Sequence, residues 1–281
     1  MQIIDSVSQL KVVLHQYRKD NKTIGFVPTM GALHLGHISL VTISNRENDI
    51  TIVSIFVNPT QFNDKNDLKN YPRTLDADLA KLGQNNVDIV FTPSDYEMYP
   101  EPDKRLFDFG NLDKIMEGAH RPGHFNGVAQ IVSKLFSIVE PDKAYFGDKD
   151  FQQVAIIKQL VRKFKLPVEV VPCPIIREPD GLAMSSRNTL LSPIQRKSAP
   201  LIYKILTESK ELVKKIEIEK LKAWVTDSIN KNPELEVEYF EIIDDTDLKQ
   251  VTSWYEQKLK VGCIAVKVGN IRLIDNIRYN L

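Results

Sequence analysis

The sequence has only two cysteines, Cys173 and Cys263, among 281 residues. They lie far apart, which indicates neither a disulfide framework nor a zinc-binding knuckle, and we interpret both as buried thiols. No apolar run approaches the length of a membrane-spanning helix. Residues 1–5 lack the basic and apolar regions of a signal peptide. We therefore expect a cytoplasmic protein with no membrane partner.

The sequence also lacks an excess of charge of either sign. Lysine plus arginine and aspartate plus glutamate both number 37, which gives a formal net charge of zero. A broad nucleic-acid-binding surface needs a surplus of positive charge, so we expect no nucleic-acid partner. Hydrophobic residues make up 42% of the chain, which is enough for the core of one large domain or two moderate ones.

Short apolar runs alternate with helical patterns over the first part of the chain. Strands are predicted at 24–27, 49–57, 87–92, 144–146 and 168–171, and helices at 7–17, 38–43, 74–82, 125–139 and 151–164. This alternation predicts an α/β domain with a Rossmann-like parallel sheet over residues 1–174. The polar segments 28–37, 58–63 and 147–153 each follow a strand, so we expect them to meet at one edge of the sheet.

The composition changes near Pro174. Helices are predicted at 195–215 and 217–230, and two alternating segments follow at 236–243 and 262–268. Helices followed by strands predict a smaller α+β C-terminal domain, which we place at 175–281 and expect to act as a lid.

The segment 28–37 follows a predicted strand and opens a helical pattern. A helix N-terminus offers unpaired N–H groups and partial positive charge to an anion, and Gly31 and Gly36 let the backbone approach a ligand. His34 and His37 share a face on a helical first turn and can donate to phosphate oxygens. The segment therefore predicts a nucleotide triphosphate site.

Two further polar clusters fit a phosphate site less specifically. In segment 184–187, two hydroxyls and the Arg187 guanidinium can wrap phosphate oxygens, although an ordinary helix cap is the alternative. In segment 147–153, Lys149 can neutralise phosphate charge and Asp150 can hold a ribose hydroxyl. A solvated charged turn is the alternative there, and spacing alone favours it.

Other polar side chains allow weaker interpretations. Gln61 and Gln153 are neutral amides suited to holding a hydroxy acid, and Arg121 is a cation that can face a carboxylate or phosphate. His120 and His124 would form a metal-binding pair on a helix, but the intervening proline and glycine oppose a helix. No third ligand is evident, so no protein-bound metal site is predicted.

The residues His34-Leu35-Gly36-His37 match the H-x-G-H pattern of the nucleotidylyltransferase superfamily. Segment 184–187 stands where those enzymes carry a second phosphate loop. Five ordered motifs are similar to those of the pantoate–β-alanine ligase family, at 28–34, 56–62, 71–74, 121–125 and 145–150. The resemblance covers residues 1–190, and the rest of the chain is similar in length and pattern without a sharp motif.

The resemblance implies an AMP-forming ligase that condenses (R)-pantoate with β-alanine. ATP, with Mg²⁺, would adenylate pantoate and release pyrophosphate, and β-alanine would attack the pantoyl adenylate to give pantothenate and AMP. The resemblance also implies a homodimer and a first domain that binds nucleotide and pantoate. The apolar segment 50–56 is interpreted as core or as dimer interface.

The resemblance also assigns residues to the reaction. The catalytic residues would be His37, His34, Lys149 and Arg187; a proton-donor role is implied for His37, but we prefer stabilisation of phosphate charge by both histidines. ATP would be bound by Met30, Gly31, Ala32, Leu33, His34, Leu35, Gly36, His37, Gly147, Asp148, Lys149, Asp150, Ile176, Met184, Ser185, Ser186 and Arg187. Pantoate and β-alanine would be held by Gln61, Gln153, Asn58 and Arg121.

Two other functions stay open. Another nucleotidylyltransferase would share the histidine loop, but it gives no reason for Gln61 and Gln153 to converge. A nucleotide-binding regulator without chemistry would be favoured by loss of His37, Lys149 or Arg187, and all three are present. A tRNA synthetase is disfavoured, because the chain has no evident anticodon-binding domain and no basic surplus.

Overall fold

The computed structural model describes residues 1–279 of the chain. The chain forms two compact units. The first contains Met1–Asp148 and Gln153–Pro174, and the second contains Lys149–Gln152 and the chain from Ile175 onward. Within residues 1–279, no helix has both the length and the apolar character needed to cross a membrane.

The first unit is built on a six-stranded parallel sheet. Its strands are β1 (Gln2–Ile4), β2 (Ile24–Thr29), β3 (Ile50–Ile55), β4 (Ile89–Phe91), β5 (Lys143–Gly147) and β6 (Glu169–Cys173). They are ordered β1-β4-β3-β2-β5-β6, and each neighbouring pair is parallel. Strand β2 therefore lies between β3 and β5.

Both faces of this sheet are buried. On β2, Phe26 belongs to one apolar cluster and Val27 to another, and on β3 the same division separates Ile52 from Val53. Successive residues of a strand point to opposite faces, so apolar layers cover both faces, as is usual for parallel sheets. The predicted Rossmann-like α/β sheet is confirmed.

Helices connect the strands and supply these layers. They are α1 (Val7–Lys19), α2 (Leu35–Glu47), α3 (Lys65–Asn70), α4 (Leu75–Gly83), α5 (Asp95–Met98), α6 (Met116–His120), α7 (His124–Val139) and α8 (Phe151–Phe164). The predicted helices of this region are all present, whereas strand β1 and the short helices α3, α5 and α6 were not predicted. A stretch of three to six residues is too short to show a hydrophobic period.

The second unit has helices followed by an antiparallel sheet, which confirms the predicted α+β character. The helices are α9 (Pro193–Ser198), α10 (Leu201–Ser209) and α11 (Ile218–Asn230), and the strands are β7 (Leu235–Asp244), β8 (Lys260–Val268) and β9 (Ile271–Tyr279). Among the described residues these strands are ordered β7-β8-β9. Apolar residues of the helices and of the sheet form one buried cluster.

One prediction for the second unit was wrong, and one strand was not predicted. The continuous helix predicted at 195–215 is divided into α9, α10 and a 3-10 turn at Lys210–Leu212. Pro200 lies at the first break, where it has no N–H to donate to the preceding turn. Strand β9 was missed because Asp275 and Asn276 interrupt its apolar pattern, although both are buried.

Candidate active site

The loop between β2 and α2 turns tightly through two residues with positive φ. Gly31 has a φ of 80° and Ala32 a φ of 49°. Glycine adopts this conformation without strain, and a Cβ at position 31 would lie 3.1 Å from Asp78 Oδ2 and from Ile55 Cγ2. The positive φ and the neighbouring side chains of Asp78 and Ile55 together favour glycine at this position.

Both histidines of the predicted triphosphate site cap helix α2. His34 is the N-cap residue, and its Nδ1 accepts a hydrogen bond from Gly36 N at 3.1 Å. His37 Nδ1 accepts from His34 N at 3.3 Å, which completes a capping box built from two imidazoles. A neutral imidazole that accepts at Nδ1 carries its proton on Nε2. Both rings, which lie 4.1 Å apart between centroids, therefore carry their protons on Nε2 in the first turn of α2.

Asp78 holds this loop in place and was not predicted from the sequence. Its carboxylate is fully buried and accepts from Ala32 N at 2.8 Å and from Leu33 N at 2.7 Å. The hydroxyl of Thr74 donates to the same carboxylate at 3.2 Å. One feature of the sequence could have indicated this role of Asp78. The residue lies on the apolar face of the α4 pattern, three residues after Leu75.

A buried cluster of amides follows β3. Asn58 is 1% exposed, and its Nδ2 donates to Gln61 Oε1 at 3.0 Å and to Gly127 O at 3.2 Å. Gln61 Nε2 donates to Met30 Sδ at 3.2 Å, so this cluster contacts the histidine loop as expected. Tyr99, which was not predicted, donates its hydroxyl to Asn58 Oδ1 at 2.7 Å. Burial raises the pKa of Tyr99, which keeps the phenol protonated as a donor.

Arg121 and His124 adjoin this amide cluster. Arg121 Nη1 lies 3.3 Å from His124 Nε2, and His124 Nδ1 lies 2.8 Å from Gln61 O. Because a guanidinium only donates and a carbonyl only accepts, His124 accepts at Nε2 and donates from Nδ1. Glu117 pairs with Arg121 at 3.6 Å. His124 thus links Arg121 to Gln61, and Gln61 in turn contacts Asn58.

The second unit contains the predicted phosphate segment 184–187 and part of the predicted segment 147–153. Its segment 176–188 is closed by a hydrogen bond from Met184 N to Ile176 O at 3.0 Å. Ser185 caps the following 3-10 turn, where its Oγ accepts from Arg187 N at 3.3 Å. Ser185 therefore acts as a helix cap, which was the alternative interpretation of this segment. The cap uses only the backbone N–H of Arg187, and the Arg187 side chain makes other contacts.

Lys149 and Asp150 belong to the same unit as this loop. They lie on the 3-10 turn Asp148–Asp150, and Lys149 Nζ donates to Asp150 Oδ2 at 3.3 Å. Gly147 and Asp148, also assigned to ATP, belong to the first unit, where Gly147 ends β5 and Asp148 begins the 3-10 turn.

Some predicted residues are not joined by direct contacts. Gln153 lies half-buried in the first turn of α8, and no hydrogen bond within residues 1–279 joins it to Gln61. His120 ends α6 whereas His124 begins α7, so these two histidines do not share one helix. In the described part of the chain, no group of three histidine, cysteine or acidic residues can hold a metal ion.

The family model for pantoate-beta-alanine ligase matches residues 2–278. The chain belongs to the pantoate–β-alanine ligase family. As a member it is a ligase, and it joins pantoate to β-alanine in an ATP-dependent condensation.

Curated relatives agree over the whole length of the chain. The pantothenate synthetase of Porphyromonas gingivalis strain ATCC 33277 is 55% identical over 279 residues, which are 99% of each chain. That of Bacteroides thetaiotaomicron is 52% identical over 279 residues, again 99% of each chain. The similarity therefore includes the chain after residue 190, where the sequence offered no sharp motif.

Solved ligases of the family share the fold. Pantothenate synthetase from Thermus thermophilus has a TM-score of 0.93 at 40% identity and full coverage of both chains. Pantoate-beta-alanine ligase from Francisella tularensis, solved with beta-gamma ATP and beta-alanine, has a TM-score of 0.84 at 37% identity, covering 99% of this chain and 98% of that one.

Proposed function

We propose that this ligase works in two steps through a pantoyl adenylate. A carboxylate oxygen of pantoate attacks the α-phosphorus of ATP, and pyrophosphate leaves. The amine of β-alanine then attacks the carbonyl carbon of the adenylate, AMP leaves, and the amine loses a proton. Adenylation is needed because it replaces oxide, a poor leaving group, with AMP.

The imidazole capping box is the observation that carries this proposal. Both rings accept at Nδ1 in the first turn of α2, so each carries its proton on Nε2, and the partial positive charge of the helix N-terminus favours an anion nearby. Donors fixed before the reaction stabilise charge that develops on phosphate oxygens. We assign His34 and His37 this role together with Lys149 and Arg187, because the first step needs no proton transfer to the pantoate.

The other residues are assigned by position and chemistry. The loop 30–37, residues 147–150, the backbone of Ile176 and segment 184–187 bind ATP in this proposal. Asn58, Gln61 and Gln153 hold pantoate, and Arg121 faces a carboxylate at the β-alanine end. The hydrogen bonds among Asn58, Gln61 and His124 support this assignment, since they fix polar groups before substrate enters.

Mg²⁺ is proposed to enter with ATP. This ion is usually bound by phosphate oxygens, waters and only one or two carboxylates, so ATP itself would supply part of the ligand set. Asp150 is the carboxylate next to Lys149, and we assign it as the candidate protein ligand of Mg²⁺. When bound, the ion would neutralise phosphate charge.

A cytoplasmic homodimer is proposed from the family resemblance. Within segment 50–56, Ile52 and Val53 are fully buried and Phe56 is 5% exposed in the single chain. These residues belong to the core of the first unit, so the dimer surface is assigned to other residues. Light scattering at micromolar concentration would test the proposal.

Pyrophosphate–ATP exchange tests the two-step function directly. The protein is supplied with ATP, Mg²⁺, labelled pyrophosphate and a series of carboxylic acids, with β-alanine absent. We expect exchange that requires pantoate. Exchange with a different acid, or transfer of nucleotide to a phosphate ester, would indicate a related transferase. Measurable ATP binding without any exchange would favour a regulator.

A further inference from the structure

Strand β9 carries two buried polar residues side by side, Asp275 and Asn276, which are 5% and 4% exposed. Polar groups in a sheet interior are unfavourable unless they are hydrogen-bonded. Because successive residues of a strand point to opposite faces, these two side chains contact different segments of the second unit.

Asp275 holds the loop that contains segment 184–187. Its carboxylate forms a bidentate contact with Arg177, in which Nη1 donates to Oδ2 at 2.7 Å and Nη2 donates to Oδ1 at 2.9 Å. Arg177 Nη1 also donates to Gly181 O at 3.1 Å, and its guanidinium lies 3.5 Å from the ring centroid of Tyr203. Planar paired contacts of this kind fix direction as well as distance, so the base of the loop is tied to β9.

Asn276 holds the other predicted phosphate segment, Lys149–Gln152. Its Nδ2 donates to Lys149 O at 3.2 Å. Two residues further along the strand, and therefore on the same face, the Arg278 guanidinium lies 5.3 Å from the ring centroid of Phe151. The segment that carries Lys149 thus contacts β9 at two points.

We infer that β9 is the common support of the phosphate-binding groups of the second unit, and that Asn276 is a positioning residue for Lys149. Asn276 acts through the Lys149 carbonyl and does not itself touch ATP. This inference rests on the proposed contact between Lys149 and phosphate. A displacement of about 1 Å in a catalytic group can lower a rate by up to about 100-fold, so one backbone contact at Lys149 is enough to matter.

A double-mutant cycle tests the inference by pantoate-dependent pyrophosphate–ATP exchange. We expect Asn276→Ala to lower the exchange rate by about 10-fold, with the KM for pantoate unchanged. In a Lys149→Ala background the same substitution should lower the rate by less than about twofold, because the cation that it positions is gone. Asn230→Ala is the control, since it also removes a side chain that bonds one backbone N–H in this unit, and it should leave exchange unchanged.

Thermal unfolding of each variant separates positioning from loss of fold. If Asn276→Ala does not fold, Asn276→Asp keeps the side-chain volume while removing the donor, and it enters the same cycle. A rate loss that is equal in both backgrounds would overturn the inference, as would no loss from the single substitution. If Lys149→Ala alone leaves exchange unchanged, the proposed role of Lys149 fails first and the inference fails with it.

Discussion

The two units hold their phosphate-binding segments by different chemistry. In the first unit a buried carboxylate, Asp78, accepts hydrogen bonds from the backbone of the histidine loop. In the second unit an ion pair between Arg177 and Asp275 fixes the loop, and the Asn276 amide supports Lys149. Both arrangements satisfy buried polar groups, but removing one partner leaves neutral N–H groups in the first case and a cation in the second.

The largest expected effect on stability comes from breaking the ion pair. Asp275→Ala leaves Arg177 without its counter-charge, which should lower the free energy of unfolding by about 3–5 kcal/mol. The matched control is Glu236→Ala, because Glu236 and Lys267 form an exposed pair in the same sheet, and it should change stability by about 0–1 kcal/mol. Denaturant unfolding measures both, and equal effects would show that the Asp275 pair is no stronger than a surface pair.

The next effect concerns catalysis in the first unit. His37→Asn keeps a polar group near the Nδ1 position, where it can still cap α2, but it removes the Nε2–H donor. We expect pantoate-dependent exchange to fall by about 10²–10³-fold, as for the loss of one fixed donor to a developing oxyanion. Thermal stability should change little.

His15→Asn is the control for this substitution, because His15 is exposed on α1. Its exchange rate should match that of the unchanged protein. If the His37→Asn variant keeps full activity, the Nε2–H donor of His37 has no role in the mechanism. If the variant loses much of its stability, the substitution has not preserved the cap of α2.

The smallest of these effects concerns Asp78. Asp78→Asn keeps the side-chain shape but turns an amide N–H toward one backbone donor of the loop, which should lower stability by about 1–3 kcal/mol. Asp76→Asn, on the exposed side of the same helix, is the control and should have little effect. An Asp78→Asn effect larger than that of Asp275→Ala would reverse the order expected from the two chemistries.

Local patterns predicted much of the first unit. The apolar run before residue 28, the glycines and the spacing of His34 and His37 are all contained in one short stretch, and the structure shows strand, loop and helix there. The amides Asn58 and Gln61 were assigned through the family resemblance, because their chemistry and spacing alone did not single them out. That these residues meet depends on parallel strands sharing one edge, which alternation already implied.

Supporting residues were harder to find, because their meaning depends on distant partners. Asp78 bonds Leu33 across 45 positions, and Asn276 bonds Lys149 across 127. In the sequence, Asp275 and Asn276 only weakened the strand pattern of β9, since nothing local shows that an arginine and a backbone carbonyl will satisfy them. Tyr99 was missed for the same reason.

The segment Lys149–Gln152 belongs to the second unit although it is enclosed in sequence by the first. This limits where the enzyme can be cut into fragments or joined to a related chain. The chain passes from one unit to the other at three places, after Asp148, after Gln152 and after Pro174. A fragment that ends at Pro174 would keep Lys149 in its sequence but would lack Asn276. The two units therefore are not exchangeable modules, and a chimera joined at Pro174 would have to match the segment 149–152 to the β9 strand of its new partner.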